Sequence, residues 1–259
     1  MPMLLKAILL GLIQGLTEFL PVSSSGHLVI FQDLFGFHEN SLLFDVFLHV
    51  GTLVPVVIVF RNEIRTLLTT RRTWPALLVA GTVPIALVGL LLHKQIETTF
   101  ETVRWVGPLL LVNAGVLLAG GPLAGLHQRK RAPGWRHALA VGVAQAAAIM
   151  PGISRSGTTI STGMATGLDR EDAARFSFLL AIPAIVLALV YKLSILPARG
   201  AAVGPAMWGA IAVGTLVSML VGYAALRVLL AVVRRRRLGR FGWYCLAVGA
   251  ASLVYHLVH

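Results

Sequence analysis

The chain has 259 residues, of which 57% are hydrophobic and 12% charged, with a formal net charge of +12. A soluble domain carries about 25% charged residues, so composition excludes an ordinary soluble domain, and a mean hydropathy of +0.83 points to an all-α polytopic membrane protein. One cysteine, Cys245, excludes an intramolecular disulfide and a cysteine-based metal cluster.

Taken in chain order, apolar segments run over 3–20, 44–60, 76–93, 105–125, 137–150, 157–168, 176–193, 206–232 and 241–258, with a shorter mixed stretch at 26–36. The first run lacks a small-residue cleavage site, so no cleavable signal is expected. Basic residues collect at 61–72 (Arg61, Arg65, Arg71, Arg72), 129–136 (Arg129, Lys130, Arg131, Arg136) and 234–240 (Arg234 to Arg237, Arg240). The positive-inside rule places these three loops in the cytoplasm. Loops 94–104, which hold Glu97 and Glu101, and 194–204 then lie outside. Because the charge sits in such loops, it marks membrane topology, and no nucleic-acid partner is expected. Asp169, Glu171 and Asp172 read as a solvated loop.

The chain repeats itself. "GLIQ" at 11–14 matches "GVAQ" at 142–145, and twelve residues after each Gln stands a Gly, Gly26 or Gly157. "VFLHVGTLVPVVIVFR" (46–61) aligns with "SFLLAIPAIVLALVYK" (177–192), and "GTVPIALVG" (81–89) with "GTLVSMLVG" (214–222). The offset stays at 131 to 133 throughout, which divides the chain into halves 1–126 and 127–259. Each half carries three clear spans. An odd number turns the halves upside down relative to one another, an inverted-topology repeat. The pieces 3–36 and 137–168 are helix pairs broken at Pro–Ser–Gly motifs, and their second members are short for a full crossing. The expected architecture is therefore six transmembrane spans plus two re-entrant helical hairpins, whose broken tips meet near mid-membrane. Broken backbone at that depth has to be buried in protein or line a wet cavity.

That juxtaposition sets "QGLTEFLPVSSSGH" (14–27) against "MPGISRSGTT" (150–159). Gln14 and Glu18, four apart, share a helix face, and Pro21 ends or kinks that helix. Ser23, Ser24, Ser25, Gly26 and His27 follow, a turn with small side chains and exposed amides that suits an anion. The second motif supplies Ser154, Arg155, Ser156, Gly157 and Thr159. Ionisable groups at membrane depth are functional candidates. Arg155 offers a two-toothed fork for phosphate, and Glu18 can hold a hard cation. Either a serine or a water can be the nucleophile, with His27 or Glu18 as acid or base. The set suggests a lipid phosphate or diphosphate whose tail stays in the bilayer. Asp45 and His49, four apart near the outer end of a span, either extend this site or sit at a solvated mouth.

These two motifs, with "LLFDVFLHVGTLVPVVIVFR" and "AARFSFLLAIPAI", resemble the undecaprenyl-diphosphate phosphatases, the bacitracin-resistance family, over nearly the whole chain. The resemblance implies hydrolysis of undecaprenyl diphosphate to the monophosphate, the carrier lipid of bacterial cell-wall synthesis. It implies Gln14 and Glu18 as metal-binding positions, Ser24, His27 and Arg155 with Glu18 as catalytic parts, and Ser154 and Thr159 near the phosphates. It also implies a divalent metal, Mg2+ or Ca2+, and a location in the bacterial inner (plasma) membrane, with the site opening towards the periplasm or cell exterior. Gln14 stands where the family often has Glu, so one carboxylate is missing. A rival reading from the inverted repeat alone is a transporter or flippase for a polyprenyl phosphate. The sequence leaves oligomeric state open, a homodimer included.

Overall fold

The computed structural model describes residues 1–37, 41–70, 73–100, 102–123, 132–195, 203–234 and 238–258. Arg71, Arg72, Glu101, Arg129, Lys130, Arg131 and Arg235 to Arg237 of the loops above lie outside the described residues. The described residues contain helices and no strand. In chain order the helices are α1 (Met3–Thr17), α2 (Ser24–Phe35), α3 (Ser41–Val59), α4 (Arg61–Thr69), α5 (Thr73–Leu91), α6 (His93–Phe100), α7 (Val106–Leu123), α8 (Trp135–Ala147), α9 (Arg155–Ala165), α10 (Arg170–Ile195), α11 (Pro205–Arg234) and α12 (Arg240–Val258).

Five stretches are long and apolar enough to cross a membrane: Ser41–Val59, Thr73–Leu91, Val103–Gly120, Arg170–Tyr191 and Pro205–Val233. The sixth expected span forms as α12 but is not among these five. The chain is thus a helical, multi-pass membrane protein.

Three segments expected as loops are helical. α4 buries Leu67 in a core cluster and packs Ile64 against it, and α6 turns Ile96 and Phe100 towards a cavity. Each is a short amphipathic helix, whose polar residues masked it in a search for apolar runs. Residues 170–175 form the first turns of α10. Asp169 starts them by accepting the amide hydrogen of Asp172 at 2.8 Å, and Glu171 and Asp172 suit a helix N-terminus.

α1 and α8 stop at the two motifs, and α2 and α9 begin within them. At 1.5 Å per residue α2 spans about 18 Å, well short of a ~30 Å hydrocarbon core. The Nζ of Lys6, near the start of α1, donates to the carbonyl of Gly36, just past the end of α2, at 3.0 Å. The start of α1 and the end of α2 therefore lie side by side. In the other pair, Ala138 from the start of α8 and Leu168 just beyond α9 belong to one cluster with Leu67 and Trp74. At that same end Arg175 lies 3.9 Å from Glu63 of α4.

Around these pairs the longer helices pack in matched couples: α1 along α11, α8 along α5, and α7 along α12. Glycines permit the closest contacts. A Cβ on Gly11 of α1 would fall 2.6 Å from the carbonyl oxygen of Gly214, and one on Gly142 of α8 would fall 2.5 Å from that of Gly81. Close backbone approach through small residues is how membrane helices gain packing energy where no hydrophobic drive separates helix from lipid.

Candidate active site

The two broken tips interlock. Ser23 caps α2 by accepting the amide hydrogen of Gly26 at 3.2 Å, and Ser154 caps α9 by accepting that of Gly157 at 3.1 Å. Each cap satisfies one of the free amides at a helix start. Ser23 adopts a left-handed backbone, with φ of 68°, which an L-residue enters only where its surroundings hold it. The hold is visible: its hydroxyl also accepts the amide hydrogen of Gly152 at 3.0 Å. A Cβ on Gly26 would sit 3.0 Å from Gly152, and one on Gly157 would sit 3.0 Å from Pro21, so each tip needs a bare backbone where the other crosses it.

Asn113 of α7 stitches the tips together. It is fully buried; its amide nitrogen donates to the Pro21 carbonyl at 3.1 Å and its oxygen accepts from the Ser154 amide at 3.0 Å. Its nitrogen also lies 3.2 Å from the sulfur of Cys245. Sequence reasoning missed Asn113. Its signal was one amide side chain inside the apolar run of α7.

The polar groups converge on Glu18. Gln14 donates from Nε2 to Glu18 Oε2 at 2.9 Å, and the Ser24 hydroxyl donates to the same oxygen at 2.6 Å. Arg155 pairs with Oε1. His49 Nε2 stands 3.4 Å from Oε2. Above this knot lies a cavity of about 320 Å³. Its polar end is formed by Glu18, Ser23, Ser24, Ser25, Ser154 and Arg155, with Asp45 and His49 of α3 beside them. Its remaining wall is apolar, from residues such as Ile85 and Leu90 of α5 and Ala184 and Leu187 of α10. Leu42, His93, Glu97 and Phe100 also line it, so the cavity extends towards the start of α3 and towards α6. Two helix N-termini, those of α2 and α9, meet at the polar end and add their partial positive charge to Arg155. The arrangement suits an anionic head on an apolar tail.

The other expected residues sit behind this surface. Gln14 is fully buried beneath Glu18. Gly26 and Gly157 serve the crossing of the tips. The Ser156 hydroxyl lies 3.2 Å from that of Ser154. Thr159 donates back to the Arg155 carbonyl at 2.7 Å and contacts Ser177. His27 does not line the cavity. Its Nδ1 lies 2.8 Å from the Ser23 carbonyl and its Nε2 lies 2.8 Å from the Tyr244 hydroxyl, with the two rings stacked. A carbonyl only accepts, so Nδ1 carries the hydrogen and Nε2 accepts from the tyrosine; His27 is a satisfied ring supporting the Ser23 turn.

A divalent ion held by protein alone does not fit this donor set. Among the described residues no group of three or more His, Cys, Asp or Glu side chains is placed to hold one. Glu18 already meets Arg155, Gln14 and Ser24, and Gln14 turns its NH2 group, not its oxygen, towards that carboxylate.

Residues 7–251 match the family model described as "Bacitracin resistance protein BacA". Curated relatives carry the name undecaprenyl-diphosphatase. The one from Halothermothrix orenii is 40% identical over 252 residues, covering 96% of each chain. That from Carboxydothermus hydrogenoformans is 43% identical over 253 residues, again covering 96% of each. That from Korarchaeum cryptofilum is 39% identical, covering 96% of this chain and 97% of the relative.

Proposed function

Since the chain belongs to the bacitracin resistance protein BacA family, we propose that the knot at Glu18 is where it acts on its lipid. The protein is a membrane phosphatase that hydrolyses undecaprenyl diphosphate to undecaprenyl phosphate and phosphate, recycling the carrier lipid. One observation carries the site assignment: Ser24 and Arg155, on opposite tips, meet on the two oxygens of one carboxylate at the polar end of an apolar cavity.

In this proposal the prenyl tail lies along the α5–α10 wall and the diphosphate faces the tips. Arg155 leaves Glu18 for the phosphate oxygens, as its planar fork favours. The free amides of the first turns of α2 and α9 spread the charge that develops in transfer. Glu18, freed on one oxygen, keeps the Ser24 hydroxyl on the other and accepts a proton as the serine oxygen, or a water that it orients, attacks the terminal phosphorus; the bond to the bridging oxygen breaks, undecaprenyl phosphate leaves, and on the serine route a water then cleaves the phosphoserine to phosphate. His27 holds the Ser23 turn in register, which makes it a positioning residue. A magnesium or calcium ion would be held by Glu18 together with oxygens that the diphosphate brings, and would supply positive charge to the phosphates.

The membrane arrangement proposed is six spans, with α12 as the sixth, and two re-entrant hairpins, α1–α2 and α8–α9, in inverted halves 1–126 and 127–259. The Lys6–Gly36 bond and the doubled contacts Gly11–Gly214 and Gly142–Gly81 support it. The cavity runs towards the start of α3 and towards α6, away from the basic α4 and Arg175 end, which supports an opening to the periplasm or exterior from the inner membrane.

The test is phosphate release from a C55 or C15 prenyl diphosphate by purified protein in detergent, beside Glu18→Ala and Arg155→Ala. Release by the wild type, lost in both variants with folding intact, is expected. Full turnover in either variant would remove the knot from the active site.

A further inference from the structure

Two histidines in this protein share one local geometry and differ in what lies beyond it. Each places Nδ1 against the carbonyl four residues earlier: His27 on Ser23 at 2.8 Å, His49 on Asp45 at 2.7 Å. A carbonyl only accepts, so both Nδ1 atoms carry hydrogen. His27 then spends Nε2 on the Tyr244 hydroxyl, outside the cavity lining. His49 lines the cavity, and its Nε2 faces Glu18 Oε2 at 3.4 Å. His49 stands beside one oxygen of Glu18, while Arg155 stands beside the other.

Exposure orders the three groups. The side chain of Glu18 is 3% exposed, that of Arg155 18% and that of His49 26%. The carboxylate is the floor, and the two nitrogen donors rise beside it into the cavity. An incoming diphosphate meets the donors before it meets the carboxylate. The Asp45 carbonyl fixes the imidazole plane, so the ring is oriented before any ligand arrives.

We propose that His49 is the second phosphate-contacting group of this site, gripping the diphosphate across Glu18 from Arg155. The proposal rests on the diphosphatase reading above. Arg155 takes oxygens pairwise with its planar fork, and His49 Nε2 shares one proton with a further phosphate oxygen. As both donors move to the phosphates, Glu18 is left with Gln14 and Ser24 alone, and its hold on the Ser24 hydroxyl strengthens. The grip and the activation of Ser24 are then one event.

The experiment measures binding of a farnesyl methylenediphosphonate, which cannot be hydrolysed, to purified wild type, His49→Leu, His49→Gln and Arg155→Ala. It also measures kcat and KM on farnesyl diphosphate and the melting temperature of each. The expected result is a weakening of binding and a rise in KM of about tenfold in His49→Leu, with melting unchanged. Gln keeps an N–H near the place of Nε2 and should recover most of that loss. Wild-type binding by His49→Leu, or no recovery in His49→Gln, overturns the role of His49 while a weakened Arg155→Ala leaves the site standing. Wild-type binding by Arg155→Ala overturns the site itself.

Discussion

The hydroxyl of Ser23 accepts the amide hydrogen of Gly152 at 3.0 Å, across 129 residues of chain. The bond ties the first broken tip to the second, and it is made by the only non-glycine residue with positive φ among those described. Ser23→Ala removes the acceptor for two buried amides, those of Gly26 and Gly152. Each orphaned amide costs about 1–3 kcal/mol. The variant should melt lower and release phosphate more slowly, since Ser24 follows directly. Gly152→Ala should do the same: its φ is 114° and a Cβ would lie 2.6 Å from Leu109. Thermal melts in detergent beside phosphate release check both.

Glu18 and Arg155 pair with one another and in the proposed site both serve the substrate, so their losses should not add. Removing either leaves the other uncompensated in a buried site. Glu18→Gln keeps the shape but cannot take a proton, and kcat should fall about 10²–10⁴-fold. Glu18→Gln with Arg155→Ala should be little worse than the poorer single variant. A double-mutant cycle in kcat/KM reads the coupling, and additive losses would mean that the two residues serve separate tasks.

No metal should bind the protein by itself. Titration with Mn2+, followed by electron paramagnetic resonance, should show no site at micromolar ion in the free protein. A site should appear when the farnesyl methylenediphosphonate is present. A tight site in the free protein would mean that Glu18 exchanges its present partners for the ion.

The proposed re-entrant hairpins predict an unusual labelling pattern. With Cys245→Ser as background, Lys6→Cys and Asp33→Cys stand at the two ends of the α1–α2 pair and should react with an impermeant thiol reagent from one face of sealed vesicles. Arg61→Cys and Glu171→Cys should react only from the other face. Labelling of Lys6→Cys and Asp33→Cys from opposite faces would mean that α1–α2 crosses the bilayer.

Most of the candidate site was legible because its residues stand in two contiguous motifs. Glu18, Ser24 and Arg155 were singled out by their presence in apolar surroundings, and that signal needs no fold. Asn113 was not legible, because its partners Pro21 and Ser154 lie 92 and 41 residues away. His27 and His49 show the limit most sharply. Each is a histidine on a helix four residues after a carbonyl that it meets, and nothing local says that Tyr244 takes one ring while the cavity takes the other.

The short helices α4 and α6 were hidden for a related reason: a polar segment becomes helical by laying one thin apolar face on neighbours that sequence does not name. The amino-acid sequence by itself determined the membrane class, the repeat and the two motifs, because hydropathy, spacing and residue type are properties of the chain read in order. Only the tertiary structure decided which hydroxyl, imidazole and amide face the cavity. That choice depends on which helix packs against which, and a contact between residues a hundred positions apart leaves no trace in the neighbours of either.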